Sequence, residues 1–187
     1  MGVPSVFLRL ATCNLSCAWC DTKYTWDWQN FDYHTEVVEI ETSEIQQKIQ
    51  AFDCSHVVIT GGEPLLQQAE LTDLVESLEF EGYTFEVETN GTIAPLPGML
   101  EHVGQWNVSP KLRTSGNPSG KTHVPPAIEA FTRLPEAYFK FVITGESDVE
   151  EVCALRDRYK LKPSRVLLMP EGRTPDALQK KSEWLSG

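Results

Sequence analysis

The sequence has few basic residues, and this scarcity limits the partners that the protein can have. Its 187 residues include 16 Lys and Arg against 27 Asp and Glu, so the formal net charge is −11. A surface that binds nucleic acid phosphates needs clustered Lys and Arg, and we therefore expect a small-molecule substrate and no nucleic acid partner. With 41% hydrophobic residues the chain can bury the core of one domain, and we assign residues 1–187 to a single domain.

Long apolar segments are also absent from the sequence. No run approaches the roughly 20 residues that a membrane helix requires. The N-terminus lacks the basic segment and apolar core of a secretory signal. We therefore expect a cytoplasmic protein with no membrane partner.

Cysteine is scarce as well, and the odd count of five does not suggest a disulfide framework. Three of the five, Cys13, Cys17 and Cys20, fall within eight residues with the spacing C-x3-C-x2-C. Thiols crowded in this way favour zinc, copper(I) or an iron–sulfur cluster. Cys54 and Cys153 have no second cysteine or close histidine beside them, and we predict that both are buried free thiols.

The number of ligands in the cysteine loop separates these metal centres. A structural zinc site uses four protein ligands, and a fully ligated iron–sulfur cluster uses four cysteines. Three thiols without an evident fourth ligand fit a [4Fe–4S] cluster with one open iron, where a reactant can bind. A zinc or iron–sulfur binding module without catalytic activity is the non-enzymatic alternative, but it would leave the motifs described below without a function.

The hydrophobic pattern predicts six strands that are separated by helices or long connections. The strands are predicted at residues 6–10, 56–60, 83–89, 105–108, 137–143 and 165–169. Strands connected in this way form a parallel sheet. Each polar motif follows a strand directly, at the edge where α/β proteins bind their ligands.

Helices are predicted at residues 43–52, 66–80, 125–133 and 148–159, with a last helix that begins at Thr174-Pro175. Ser43 with Gln46, and Ser147 with Glu150, have the spacing of capping boxes. Thr174 fits a cap with proline at the first helical position. Residues 21–41 are predicted to be irregular, and residues 112–124 are predicted to form a mobile loop.

Five short motifs occur in order along the chain, and together they resemble one family. They are Phe7-Leu8-Arg9-Leu10, the segment from Cys13 to Thr22, Thr60-Gly61-Gly62-Glu63-Pro64, Glu88-Thr89-Asn90-Gly91-Thr92 and Ser109-Pro110-Lys111. From about residue 3 to about residue 172, the chain resembles the 7-carboxy-7-deazaguanine synthase family of the radical S-adenosylmethionine (SAM) superfamily. The resemblance implies an open partial (β/α)6 barrel with a mostly parallel sheet.

The resemblance also implies an activity. Members of this family are radical SAM lyases that convert 6-carboxy-5,6,7,8-tetrahydropterin to 7-carboxy-7-deazaguanine with loss of ammonia, on the route to queuosine. A [4Fe–4S] cluster, SAM and Mg²⁺ are the implied cofactors. A homodimer and a flavodoxin-type electron donor are the implied partners.

Individual residues acquire expected roles from the same resemblance. The cluster ligands are Cys13, Cys17 and Cys20, and Thr22 is the expected Mg²⁺ ligand. The residues expected to hold SAM are Trp19, Gly61, Gly62, Glu63, Ser109 and Lys111, with the Glu63 carboxylate accepting a hydrogen bond from the SAM ammonium. The residues expected to contact the pterin are Arg9, through the substrate carboxylate, and Thr89 and Asn90.

An activase that makes a glycyl radical on a protein partner is the alternative enzyme, and it shares the small size and the cysteine loop. Thr22 and the Ser109-Pro110-Lys111 motif favour the synthase.

Two departures from the family pattern generate further expectations. The family has a strand with a Gln-Gly-Glu-Gly stretch before the segment that matches Gly2-Val3-Pro4, so we expect SAM cleavage with poor handling of the substrate. Thr12 stands where the family has glycine. Because threonine resists a positive φ, we expect the loop backbone to differ there.

Overall fold

The computed structural model of the protein describes residues 2–186; Met1 and Gly187, the ends of the predicted domain, lie outside the described residues. Six parallel strands form one sheet in the order of the chain. They are β1 Val6–Leu10, β2 His56–Gly61, β3 Thr84–Thr89, β4 Gln105–Val108, β5 Ala137–Ile143 and β6 Val166–Pro170. The predicted open parallel sheet is confirmed, and each strand lies within one residue of its predicted bounds.

Helices connect the strands. They are α1 Tyr33–Glu36, α2 Thr42–Gln50, α3 Gln68–Phe80, α4 Pro97–His102, α5 Ser119–Thr122, α6 Pro125–Thr132, α7 Glu146–Tyr159 and α8 Pro175–Ser186. The short helices α1, α4 and α5 are absent from the sequence prediction because four to six residues carry too little periodicity. No helix within residues 2–186 has both the length and the apolar character needed to span a membrane.

The two faces of the sheet differ in polarity, as the alternation in β5 illustrates. Ala137, Phe139, Phe141 and Ile143 are buried and belong to the hydrophobic core between the sheet and the helices. The intervening side chains, including Lys140, are half-buried on the opposite face. Because successive side chains of a strand point to opposite faces, one pattern supplies both a core and a polar concave surface.

Neither predicted capping box starts its helix. Helix α2 begins at Thr42, and the amide of Gln46 donates to Ser77 and Glu81 on or beside α3. The side chain of Gln46 is therefore used in packing two helices together. At the end of the chain the predicted cap is confirmed, because the Ala177 N–H donates to the Thr174 hydroxyl at 3.3 Å.

Helix α7 begins at Glu146, with Gly145 as its N-cap, so Ser147 lies inside the first turn. Asp148, in the first turn, connects the start of the helix to the preceding segment. Its carboxylate accepts hydrogen bonds from the Thr144 amide and hydroxyl, both at 2.6 Å, and from the Thr114 hydroxyl at 2.8 Å. Burial opposes ionisation, but the hydrogen bonds outweigh it and lower the pKa of Asp148.

The prediction that residues 112–124 form a mobile loop is wrong. Ser115, Asn117 and Thr122 are buried, and the segment contains a 3₁₀ turn at Arg113–Ser115 as well as α5. A polar composition suggested exposure, but these polar side chains are hydrogen-bonded inside the protein. Residues 21–41 also contain regular structure, a 3₁₀ turn at Lys23–Thr25 and helix α1.

Thr12 has a φ of 70°, so this threonine adopts the positive φ that it was expected to resist. The Thr12 amide donates to the Thr25 carbonyl at 2.6 Å, and the Thr12 carbonyl accepts from the Glu63 amide at 2.8 Å. A left-handed conformation costs a residue other than glycine about 1–3 kcal/mol, and it persists where the surroundings fix it. Bonds on both sides of Thr12 provide that constraint.

Asp148→Asn is expected to destabilise the protein by about 1–3 kcal/mol at neutral pH, because it replaces an acceptor of three hydrogen bonds with a group that also donates. Urea denaturation would measure the loss. The contribution of Asp148 is present above its unfolded pKa of about 3.9 and is lost as the pH falls through the lower folded value. The two proteins should therefore converge in acid. The control is Asp176→Asn in the first turn of α8, where the side chain is exposed.

Candidate active site

A cavity of about 470 Å³ opens at the C-terminal edge of the sheet. Among residues 2–186, every sequence-predicted site residue except Glu63 lines it: Arg9, Cys13, Cys17, Trp19, Cys20, Thr22, Gly61, Gly62, Thr89, Asn90, Ser109 and Lys111. The motifs are far apart in sequence, but the parallel strands end at one rim. The fold therefore brings together the residues that the sequence motifs predicted to form one site.

The three thiols of the cysteine loop each accept an N–H hydrogen bond. The donors are the Leu15 amide to Cys13 at 3.5 Å, the Asn117 side chain to Cys17 at 3.2 Å and the Trp26 indole to Cys20 at 3.3 Å. Burial raises the pKa of Cys13 to about 11 and also raises the pKa of Cys17. A coordinated metal deprotonates such thiols, and the N–H groups are suited to stabilise the resulting thiolates.

The spacing of the thiols is informative about the metal. Within residues 2–186, no three His, Cys, Asp or Glu side chains converge on a single ion. A mononuclear zinc with Zn–S bonds of about 2.3 Å would need its thiolates roughly 4 Å apart. A [4Fe–4S] cluster binds each cysteine through a different iron, so its ligands can stand further apart, and this donor set fits it.

Gly61 and Gly62 allow the cysteine loop to lie directly against the end of β2. A Cβ at Gly61 would collide with the backbone of Leu10, and one at Gly62 would collide with the Thr12 carbonyl. Gly61 also has a φ of 141°. Gly61 and Gly62 therefore form the surface against which the cysteine loop packs, and they also line the cavity.

Glu63 points away from the cavity and has no exposed surface. Its carboxylate accepts hydrogen bonds from the Leu65 amide at 3.0 Å, the Thr89 hydroxyl at 2.8 Å and the Asn90 amide at 2.6 Å. Burial raises the pKa of Glu63, while these hydrogen bonds favour the ionised form. These bonds join the ends of β2 and β3, and the expected contact with the SAM ammonium stays a prediction.

Thr89 and Asn90 line the cavity, but the protein already uses their polar atoms. The Asn90 amide group donates to Asn14 at 2.8 Å, and its oxygen accepts from the Thr92 amide at 3.0 Å. Thr89 is committed to Glu63. Thr89 and Asn90 can therefore contact the pterin only through atoms that are not used in these hydrogen bonds.

Lys111 lies between the cysteine loop and the end of β4. Its ammonium donates to the Ser109 hydroxyl at 2.8 Å and stands 5.6 Å from the centre of the Trp19 ring. The Trp19 indole N–H is buried and has no partner among the described residues. One cation, one hydroxyl and one open donor are thus available to a polar ligand beside the thiols.

Arg9 and Thr22 keep their functional groups available. Arg9 is exposed on β1 and makes no ion pair within the described part of the chain. The Thr22 hydroxyl lies 3.6 Å from the Cys20 sulfur, and within residues 2–186 it makes no capping hydrogen bond to the 3₁₀ turn that follows. Both line the cavity, where a guanidinium and a hydroxyl can bind a carboxylate and a hard cation.

The sequence prediction missed a layer of polar side chains on the concave face of the sheet. Glu88 accepts from the Thr60 hydroxyl at 2.9 Å, and the Lys140 ammonium is 3.8 Å from its other oxygen. Asn107 and Arg173 also line the cavity. The polar residues at every second position of β3, with Lys140 on β5, were the available signal, because they mark the face opposite the core.

The two remaining cysteines lie outside the set of residues that line the cavity. Cys54 is half-buried, and its thiol donates to the Pro4 carbonyl at 3.2 Å. Cys153 is exposed, so the prediction that it is buried is wrong. It occupies the solvent side of α7, where the helical pattern places its core-facing neighbours Val152 and Leu155 inward.

Comparison with known proteins identifies relatives of the chain. Residues 9–109 match the radical SAM superfamily. The 7-carboxy-7-deazaguanine synthase of Pyrobaculum aerophilum is 39% identical over 178 residues, which cover 94% of this chain and 74% of the relative. The synthase of Hyperthermus butylicus is 39% identical over 184 residues, covering 96% and 73%, and that of Aquifex aeolicus is 30% identical over 180 residues, covering 96% and 74%.

Solved structures show the same similarity. QueE from Escherichia coli superposes with a TM-score of 0.69 and 28% identity, over 99% of this chain and 82% of that chain. TYW1 with a lysine–pyruvate adduct gives a TM-score of 0.61 at 16% identity, over 97% and 72%. The second likeness concerns the fold alone.

Replacing Cys13, Cys17 or Cys20 with alanine is expected to reduce bound iron to background, because each thiol is taken to ligate a separate iron. Iron and sulfide content after anaerobic reconstitution would measure the effect. Cys54→Ala and Cys153→Ala are the controls and should retain full iron. If Cys54→Ala lost its iron, the hypothesis of three ligands would be wrong.

Glu63→Gln is expected to destabilise the protein by about 1–3 kcal/mol, because one carboxylate oxygen becomes an NH₂ group that faces hydrogen-bond donors. Urea denaturation of the iron-free protein measures this loss independently of any cofactor. Glu70→Gln, on the exposed side of α3, should stay within about 0.5 kcal/mol of the wild type. Equal stability of Glu63→Gln and the wild type would show that the buried carboxylate does not fix the rim.

Proposed function

The chain belongs to the 7-carboxy-7-deazaguanine synthase family of the radical SAM superfamily and is a radical SAM enzyme, and on this premise we propose its substrate. It converts 6-carboxy-5,6,7,8-tetrahydropterin to 7-carboxy-7-deazaguanine with loss of ammonia, in queuosine and deazapurine biosynthesis. The observation that supports this most strongly is that Arg9 and Thr22 share one cavity with the three thiols. This arrangement supports a substrate whose carboxylate is bound beside the cluster.

The cluster side of the cavity is proposed to hold the cofactors. Cys13, Cys17 and Cys20 would ligate a [4Fe–4S] cluster, which supplies the electron that cleaves bound SAM to a 5′-deoxyadenosyl radical. Lys111 and Ser109 present a cation and a hydroxyl to the polar groups of SAM. The Trp19 ring shields the loop, and its buried N–H has no partner among the described residues.

The concave face of the sheet is proposed to hold the pterin. The planar guanidinium of Arg9 can bind the substrate carboxylate through two parallel hydrogen bonds. Thr22 is the proposed protein ligand of a Mg²⁺ ion that also takes this carboxylate, since Mg²⁺ prefers oxygen ligands and keeps water or substrate oxygens. Glu88, Asn107 and Lys140 supply further donors and acceptors opposite the edge of a heterocycle.

Two partners are also proposed, a second copy of the chain and a flavodoxin-type electron donor. Strand β6 is an edge strand of the sheet among the described residues, and its Leu168 is 40% exposed, which supports an interface with a second copy. The electron donor is motivated by the family resemblance. A glycyl-radical activase is not favoured, because the curated relatives carry the synthase name.

An anaerobic assay of the reconstituted protein with SAM, dithionite, Mg²⁺ and 6-carboxy-5,6,7,8-tetrahydropterin tests the proposal. We expect formation of 7-carboxy-7-deazaguanine that depends on SAM. If SAM were cleaved but the pterin remained unchanged, the protein would be a radical SAM enzyme with another substrate.

Thr22→Val is expected to lower turnover by roughly thirty- to a thousand-fold, because a positioned interaction worth about 2–4 kcal/mol is lost while the shape of the side chain is kept. Iron content and SAM binding should be unchanged, and stimulation by Mg²⁺ should disappear. Thr35→Val on the exposed side of α1 is the control. Normal turnover by Thr22→Val with an intact response to Mg²⁺ would show that the hydroxyl is not a ligand.

A further inference from the structure

Two side chains far apart in sequence donate N–H hydrogen bonds to cluster-loop sulfurs. The Trp26 indole donates to Cys20 at 3.3 Å, and the Asn117 amide group donates to Cys17 at 3.2 Å. We propose that Trp26 and Asn117 set the reduction potential of the [4Fe–4S] cluster through these two bonds. The inference rests on the proposed ligation of the cluster, and it concerns residues that no family motif quoted above includes.

The orientation of the Asn117 side chain follows from its other contacts. Its oxygen accepts from the Ser16 amide at 2.8 Å, and its nitrogen is 3.2 Å from the Ser115 hydroxyl as well as from the Cys17 sulfur. A reversed amide would place its NH₂ group against the Ser16 N–H. The two protons of the NH₂ group are therefore directed at Ser115 and at the sulfur.

Asn117 is also held where it is by its own segment. The Ser115 carbonyl accepts from the Ala18 amide at 2.9 Å, so residues on both sides of Cys17 are bonded to this segment. Ser115 has no exposed surface, and Asn117 is 9% exposed. The hydrogen bond to Cys17 is thus shielded from water, which makes its electrostatic effect larger.

Trp26 has only one polar atom, and that atom is a donor. Its position is fixed because the Trp26 amide donates to the Lys23 carbonyl at 3.0 Å and the preceding residue, Thr25, accepts from the Thr12 amide at 2.6 Å. The segment that carries the indole is therefore tied to the start of the cysteine loop. These backbone bonds therefore hold the Trp26 indole near the Cys20 sulfur.

Cys13 differs from the other two thiols. Its donors are the Leu15 amide at 3.5 Å and the Asn90 side chain at 3.9 Å, both longer than the bonds to Cys17 and Cys20. The Cys20 sulfur also lies 3.6 Å from the Thr22 hydroxyl. Because hydrogen bonds weaken with distance, the shorter bonds from Trp26 and Asn117 supply most of the stabilisation.

The direction of the effect follows from charge. Reduction adds one electron, supplied by a one-electron donor, to a cluster whose three thiolates already make it negative, and no proton is taken up. N–H donors aimed at the sulfurs stabilise the more negative state, and such hydrogen bonds are one of the factors that set cluster potentials. Removing either donor should therefore lower the potential.

The test compares Trp26→Phe and Asn117→Leu with the wild type in a redox titration of the reconstituted protein without SAM, followed by electron paramagnetic resonance. At the wild-type midpoint, each variant should show a roughly tenfold lower ratio of reduced to oxidised cluster, which corresponds to a shift of about 59 mV for one electron. The shifts should add in the double variant.

Two controls separate this effect from general disturbance of the loop. Trp28→Phe removes a nearby indole that packs edge-on against Tyr33. Asn30→Leu removes the bond from Asn30 to the Asp27 carboxylate at 2.9 Å, in the segment that carries Trp26, and this bond involves no sulfur. Both controls should keep the wild-type midpoint.

Three results would overturn the inference: unchanged midpoints in both variants with full iron content, equal shifts in the controls, or loss of iron from Trp26→Phe, which would make the indole a structural support. Absence of iron from the wild type would instead refute the proposed cluster. Iron content therefore distinguishes failure of this inference from failure of the function on which it rests.

Discussion

The hydrogen bond from the Glu63 amide to the Thr12 carbonyl joins the cysteine loop to the end of β2, and the rest of the site depends on it. The two backbones approach closely only because Gly61 and Gly62 have no Cβ. The buried carboxylate of Glu63 then extends the connection to Thr89 and Asn90 at the end of β3. This contact therefore connects the loop that carries the thiols to the ends of two strands.

The sheet gives the site its second constraint, because its two faces have opposite requirements. The outer face packs apolar side chains against the helices, while the concave face carries Thr60, Glu88 and Lys140 in mutual contact. The Glu88 carboxylate accepts from the buried Thr60 hydroxyl and lies near the Lys140 ammonium, so the three groups form a chain of hydroxyl, carboxylate and ammonium. A polar ligand on this face therefore meets donors and acceptors that are already positioned by one another.

The strands, the order of the sheet and most of the lining residues could be predicted from the sequence, because each depends on a local pattern. Parallel strands need long connections, and motifs that follow them must meet at one edge. The orientation of Glu63 could not be predicted, because its partners Leu65, Thr89 and Asn90 lie in other elements. The contact of Asn117 could not be predicted for the same reason, because Asn117 is a hundred residues from the sulfur it contacts. Gln46 is a third case, since its side chain binds partners on or beside α3 instead of forming the predicted cap.

Thr12 shows how the site combines a local cost with long-range support. Its left-handed backbone is unfavourable for a β-branched residue, yet that conformation points its carbonyl at Glu63 and its amide at Thr25. Thr25 precedes Trp26, so the same strained residue connects the strand-end motif on one side with the donor to Cys20 on the other. The strain is therefore located where the loop must hold a fixed shape, and the bonds that stabilise it are the ones that position the thiols.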